Sequence, residues 1–276
     1  MQKQYDGYKV VPFSKGRQIV RQINRLGEHK HIIHGLVEVD VTLVRQFIRE
    51  YEAATGTDIS FTAFIVTCLA KAVAANERVH AYRKGGSQLV LFDDVDVNIA
   101  IEREMNGEKV PLTHIIRAAD KKDYQQINQD IQEAQAKLPE SKTAATEKPN
   151  IIWQLPAFIQ RLLFRWAFSS PHRIKENAGT VFLTAVGMFG DGGGWGIPYP
   201  GNTLVVTLGG IDEKPVVVDG EIEIREMLSV TVSFDHDIVD GAPAARFTSQ
   251  LKSLIESGYG LVELEAATEK VGWPAQ

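Results

Sequence analysis

The 276-residue chain predicts an α+β fold, a two-layer sandwich in which a mixed β-sheet carries helices on one face. Three observations lead there. Two helix-period segments follow one another near residue 50, strand-like runs cluster between about residues 88 and 234, and one more helix-period segment comes after them. That order of elements implies segregated layers around one core.

A run rich in valine and isoleucine leads into "VTLVRQFIREYEAATG", where Val44, Phe47, Ile48 and Tyr51 recur at helical spacing before Gly56. Ser60 has the residue type of an N-cap for a second helix carrying Phe61, Phe64, Ile65, Leu69 and Val73. "SQLVLF" and "DVDVNIAIE" read as strands. The second turns Val95, Val97, Ile99 and Ile101 to one face and pairs with "EKVPLTHIIR" across Asn106-Gly107. Residues 120–138 look helical, and "PESKTAATEKP" at 139–149 is linker-like. The apolar segment 151–168 follows, then "GTVFLTAVGMFG", a strand entering the glycine-rich "GDGGGWGIPYPGN". "TLVVTLGG", the hairpin "VVVDGEIEI" and "MLSVTVSF" supply further strands. "APAARFTSQLKSLIESG" is a helix with Phe247, Leu251, Leu254 and Ile255 inward.

Composition narrows the function classes. The chain is 44% hydrophobic and 24% charged, enough apolar surface for a core. A net charge of −5 argues against a nucleic-acid partner, because phosphate contacts need a basic face. One cysteine, Cys68, lies in an apolar run, which suits a reducing compartment. The N-terminus shows no apolar secretory core, and no uninterrupted apolar run is long enough to span a bilayer. The expectation is a cytoplasmic protein without a membrane partner.

"SFDHDIVDG" at 233–241 places His236 among Asp235, Asp237 and Asp240 between a strand and a helix start. An imidazole there can take a proton from a thiol or hydroxyl near neutral pH, and a carboxylate in the same turn can steady the loop or the imidazolium. Two plainer accounts stay open: Asp240 as a helix cap beside a solvated histidine, or a metal held by His236, Asp235 and Asp237. His29, His31 and His34 read as an exposed polar edge, with metal binding by His29 and His31 the alternative.

"VSFDHDIVDGAPAARF" resembles the active-site motif of the dihydrolipoyl acyltransferases, the catalytic cores of 2-oxoacid dehydrogenase complexes, which share a fold with the chloramphenicol acetyltransferases. "SKGRQIVRQI", "EVDVTLVRQF", "ISFTAFIVTCLAKAVAAN", "DVDVNIAIE", "VPLTHIIRAADKKDYQQI" and "GTVFLTAVGMFG" occur in that family's order. The resemblance covers most of the chain and implies a single acyltransferase catalytic domain over 1–276, interrupted by an atypical insert at about 139–175. It implies a homotrimer with active sites at subunit boundaries and acyl-coenzyme A as substrate. No metal and no covalent lipoyl group on this chain are implied. Residue by residue, His236 matches the general base, Thr184 the oxyanion-stabilising hydroxyl (usually serine) and Asp240 the structural aspartate. Gly241 completes the motif, and Arg17 is the arginine expected to pair with Asp240, with Arg21 the alternative.

Four departures qualify the resemblance. Asp237 stands where the family usually has arginine, reversing a charge beside the base. The chain carries no lipoyl domain, so a lipoyl acceptor would arrive on a separate carrier protein. The insert at 139–175 replaces a shorter connection, and its apolar helix reads as buried or at an interface, with a membrane-surface helix or a lid as alternatives. The glycine-rich stretch reads as a flexible loop near the site, with Trp195 as a cover. Two rival functions remain at this level: acetylation of a small hydroxyl compound, and a non-catalytic trimeric scaffold.

Overall fold

The computed structural model of the chain describes residues 3–5, 7–11, 20–22, 24, 25, 27–105, 108–137, 157–187, 192–199, 201–261 and 264. A short hairpin of β1 (Lys3–Tyr5) and β2 (Tyr8–Val10) precedes β3 (Ile32–Asp40), α1 (Thr42–Thr55) and α2 (Phe61–Ala74). A second small hairpin, β4 (Tyr82–Lys84) and β5 (Gln88–Val90), leads to β6 (Val97–Met105) and β7 (Glu108–Ile116). Then come α3 (Tyr124–Lys137), α4 (Ala157–Ala167), α5 (Pro171–Ala178), β8 (Val181–Ala185), β9 (Leu204–Val218), β10 (Glu221–Asp235) and α6 (Gly241–Glu256).

Six strands form one sheet in the order β3-β10-β9-β8-β6-β7. The pairs β3/β10, β10/β9 and β6/β7 are antiparallel, whereas β8 runs parallel to both β6 and β9. The expected mixed sheet is therefore present. Helix α2 is the centre of the helical layer: Ala63–Ala70, Ala72 and Val73 are all buried, as an all-round apolar helix requires. Ser60 starts it, its hydroxyl accepting from the Ala63 amide at 3.2 Å. Cys68 is buried in the same helix, and burial pushes its thiol far above the ordinary range, leaving it inert.

The hairpin at residues 216–224 joins two strands far longer than their sequence fragments. Asp219 (φ 50°) and Gly220 (φ 90°) are both left-handed, as a two-residue hairpin turn requires. From that turn β9 and β10 stay paired over 15 residues each, past one bulge near Leu228. By contrast, the expected strand "SQLVLF" contributes only β5, paired with β4 outside the main sheet. Residues 139–149 and the start of the apolar segment lie outside the described residues. The rest of the insert forms α4 and α5.

The described part of the glycine-rich stretch meets the main sheet. Its described residues 192–199 are seated on β9, where the Gly210 amide donates to the Gly194 carbonyl at 3.0 Å. A Cβ at Gly209 would stand 1.9 Å from the Gly194 oxygen, and one at Gly210 1.9 Å from the Gly192 oxygen. Only glycine lets the two backbones approach this closely. Gly209→Ala is expected to unseat residues 192–199 and lower the melting temperature, with proteolysis of that loop as the local readout.

Beside β4, His80 is buried against Phe92 and its Nδ1 finds no partner among the described residues. Burial first, then the Lys175 charge, pushes its pKa down from 6.5 to about 4, against smaller upward pulls from Asp120 and Asp96. Because the unfolded chain takes up this proton at higher pH than the folded one, the contribution is full above about pH 6.5. It falls by up to about 3 kcal/mol as the pH drops toward 4. Urea unfolding across that window should show the decline, and His80→Leu should flatten it.

Candidate active site

The site is built at the end of β10. Along that strand Leu228, Val230, Val232 and Phe234 enter the core under the helices, while Ser229, Thr231, Ser233 and Asp235 line the opposite face, also buried. The strand alternation thus delivers Asp235 at the sheet's end on the polar side. Its amide donates to the Thr203 carbonyl at 2.9 Å. Its carboxylate accepts from Lys30 Nζ at 2.9 Å and from the Asp237 amide at 3.2 Å. Lys30 also lies 5.7 Å from the centroid of the Tyr82 ring. The buried Tyr82 hydroxyl accepts from Asn202 Nδ2 at 2.9 Å, and burial raises its pKa well above the ordinary phenol range.

From this base the loop 236–240 is held by its own backbone. The His236 amide donates to the His31 carbonyl at 2.6 Å, and the amides of Ile238 and Val239 both donate to the Asp235 carbonyl at 3.0 Å. Asp237, the charge-reversed position, braces the loop from outside: it accepts from His31 Nδ1 at 3.0 Å and from Arg83 at 2.8 Å. The His31 hydrogen bond, together with the His31 and Arg83 charges, holds the Asp237 carboxyl below the usual range. Both aspartates beside His236 are thus engaged by side-chain donors, Lys30 for Asp235 and Arg83 with His31 for Asp237. A metal ion at Asp235, His236 and Asp237 would have to compete with Lys30 and Arg83.

The His236 ring is 44% exposed and its Nδ1 stands 3.9 Å from Asp240 Oδ1. Asp240 occupies the N-cap position of α6, yet its side chain makes no capping bond and is 86% exposed. Gly241 opens α6, and a Cβ there would meet nothing within 4 Å in this chain. Arg17 lies outside the described residues. His34, on the edge strand β3, bonds Ser233 Oγ at 2.8 Å, so His31 and His34 both serve hydrogen bonds around the end of β10.

Thr184 is half-buried on β8, in a row with Thr207 and Thr231 across three strands. The hydroxyls of Thr207 and Thr231 are buried without partners among the described residues. Within one chain Thr184 does not reach His236. Asp235 lies two strands across and four residues further along, a Cα separation of about 16 Å at ordinary strand spacings. Lys30, Tyr82, Arg83 and Asn202 escaped the sequence reading as site residues. Lys30 and Asp235 are 205 residues apart, and no local spacing signals their contact.

Known proteins resemble the chain in both sequence and fold. The 2-oxoacid dehydrogenases acyltransferase (catalytic domain) family matches residues 6–150 and 167–262. The acetyltransferase component of the Zymomonas mobilis pyruvate dehydrogenase complex is 25% identical over 258 residues, covering 91% of this chain and 51% of that protein. The chain thus spans about half the length of the curated relatives it matches. Among solved structures, a probable dihydrolipoamide acetyltransferase from Listeria monocytogenes superposes with a TM-score of 0.70 at 21% identity, covering 92% of this chain and 96% of that one. The Azotobacter vinelandii dihydrolipoamide acetyltransferase, studied for a serine, a histidine and an asparagine in its catalytic mechanism, gives 0.66 at 18% identity, covering 94% and 93%. With most of its length matched, the chain belongs to the 2-oxoacid dehydrogenase acyltransferase family, as a catalytic domain.

Proposed function

We propose that the chain transfers an acyl group between coenzyme A and a thiol such as dihydrolipoamide, with His236 as general base. One observation carries the reading. In the Azotobacter enzyme the serine precedes the histidine by 52 residues and the asparagine follows it by 4. Thr184, His236 and Asp240 repeat both intervals with side chains of related chemistry.

In this mechanism the ring nitrogen of His236 turned away from Asp240 takes the thiol proton. The thiolate sulfur then bonds to the thioester carbonyl carbon, and the resulting oxyanion accepts a hydrogen bond from the Thr184 hydroxyl. Collapse breaks the original carbon–sulfur bond, and the proton on His236 passes to the departing thiolate. Asp240 is a structural partner of the loop, paired with Arg17, and Gly241 completes the turn.

The separation of Thr184 from His236 supports a site assembled from two chains, with His236 supplied by one subunit and Thr184 by its neighbour. We place both in a homotrimer, whose heterologous contacts close into a ring. A subunit boundary would also cover His236, which one chain leaves open to water. Coenzyme A is the acyl-carrying substrate, and the lipoyl acceptor would come on a separate carrier protein. The lone buried Cys68 accords with a cytoplasmic setting.

Incubation with acyl-coenzyme A and free dihydrolipoamide, with products identified by mass spectrometry, tests the reading. His236→Ala should lower turnover by about 10²–10⁴-fold without dissolving the trimer; a fully active variant would sink the mechanism. Thr184→Ala should lower kcat by about 10²–10³-fold, and Thr184→Ser should restore most of it. Co-expressing the His236→Ala and Thr184→Ala chains should recover about a quarter of wild-type activity if each site uses two subunits. No recovery would mean that both groups act within one chain.

A further inference from the structure

Helix α4 places Ile159, Leu162, Leu163 and Trp166 at i, i+3, i+4 and i+7, one apolar stripe of an amphipathic helix. A stripe of this kind is ordinarily buried, yet Leu162 is 67% exposed, Trp166 59% and Leu163 39%. Among the described residues the helix packs on α5. Phe164 stacks on Phe168 at 5.7 Å on the other side of the helix axis, away from the stripe. The family match omits residues 151–166, so the stripe sits in a segment outside that match.

Along the sequence the charge of this segment is one-sided up to Glu176, although Lys175 itself pairs with Asp94 at 3.7 Å. From Ala157 to Lys175 the chain has Arg161, Arg165, Arg173 and Lys175, with His172, and no aspartate or glutamate, although the whole chain is net −5. Arg165 is exposed. The Arg173 guanidinium lies 4.1 Å from the centroid of the Trp166 ring and donates to the Trp166 carbonyl at 3.0 Å. A cation therefore borders the stripe at its exposed aromatic residue.

We propose that α4 docks this chain on an anionic lipid surface, lying flat with Leu162, Leu163 and Trp166 at the headgroup–acyl boundary and Arg165 and Arg173 at the phosphates. An anionic leaflet supplies apolar depth and opposite charge together. A second copy packed through the same face would set one acid-free basic segment against another. At 11 residues the helix is too short to span a bilayer. The expectation of no membrane partner rested on run length, which tests spanning and not surface docking.

Sedimentation of the full chain with phosphatidylcholine vesicles, with and without phosphatidylglycerol, tests the proposal. Binding is expected only with phosphatidylglycerol and should weaken as salt is raised. The double variant Leu162→Ser/Trp166→Ser should lower the partition coefficient by at least about 100-fold. Arg165→Glu should weaken binding while leaving the melting temperature and acyl transfer unchanged. Absent binding by the wild-type chain, equal binding to both vesicle types, or an Arg165→Glu chain that binds as well as wild type would each overturn the proposal. A change of oligomeric state in the double variant, with no vesicle binding by wild type, would assign the stripe to contacts between copies.

Discussion

The burial of β10 on both faces is the constraint on which the rest depends. Its last nine residues, Met227–Asp235, are all buried, and β3 and β9 bond the strand from either side. A slip of one residue would exchange the two sets of side chains. Ser229, Thr231 and Ser233 would be driven under the helices, and Val230, Val232 and Phe234 onto the polar face. That penalty holds the register. With the register held, the chain leaves the sheet at one defined point, and His236 sits on a loop anchored to a rigid strand end.

Around that strand end, opposite charges are matched by position. Asp235 meets Lys30 from the segment before β3, and Asp237 meets Arg83 from β4 and His31. Asp237 carries the opposite sign to the arginine that the resemblance predicts, and here it accepts hydrogen bonds from the cationic Arg83 and from His31, so the loop is braced rather than pushed outward. The exposed pairs are worth little individually. Their effect is geometric, because separate chain segments converge on the few residues of this loop and limit where the imidazole can go.

The polar face of the sheet has a second consequence. The threonine row of Thr184, Thr207 and Thr231 keeps hydroxyls on the face that carries Asp235, but well away along the sheet from the strand end that holds His236. On the proposed mechanism the two groups serve one reaction, and their separation is the reason that mechanism calls for a ring of identical subunits. Helix α4 stands apart from this economy of burial. Its apolar side is left uncovered by the described parts of the chain.

The helical layer, the pairing of β6 with β7, the hairpin on Asp219-Gly220, the Ser60 cap and the His236–Asp240 turn were all legible in the sequence. Each is set by short-range periodicity, by turn residues that tolerate positive φ, or by a motif of a few adjacent positions. Tertiary structure alone decided the pairing of Lys30 with Asp235, the Arg83–Asp237 brace and the seating of the glycine-rich loop on Gly209 and Gly210. It also decided the distance between Thr184 and His236. These depend on which strands become neighbours. Strand order follows from burying all the apolar faces at once, a global condition that no local stretch of residues expresses.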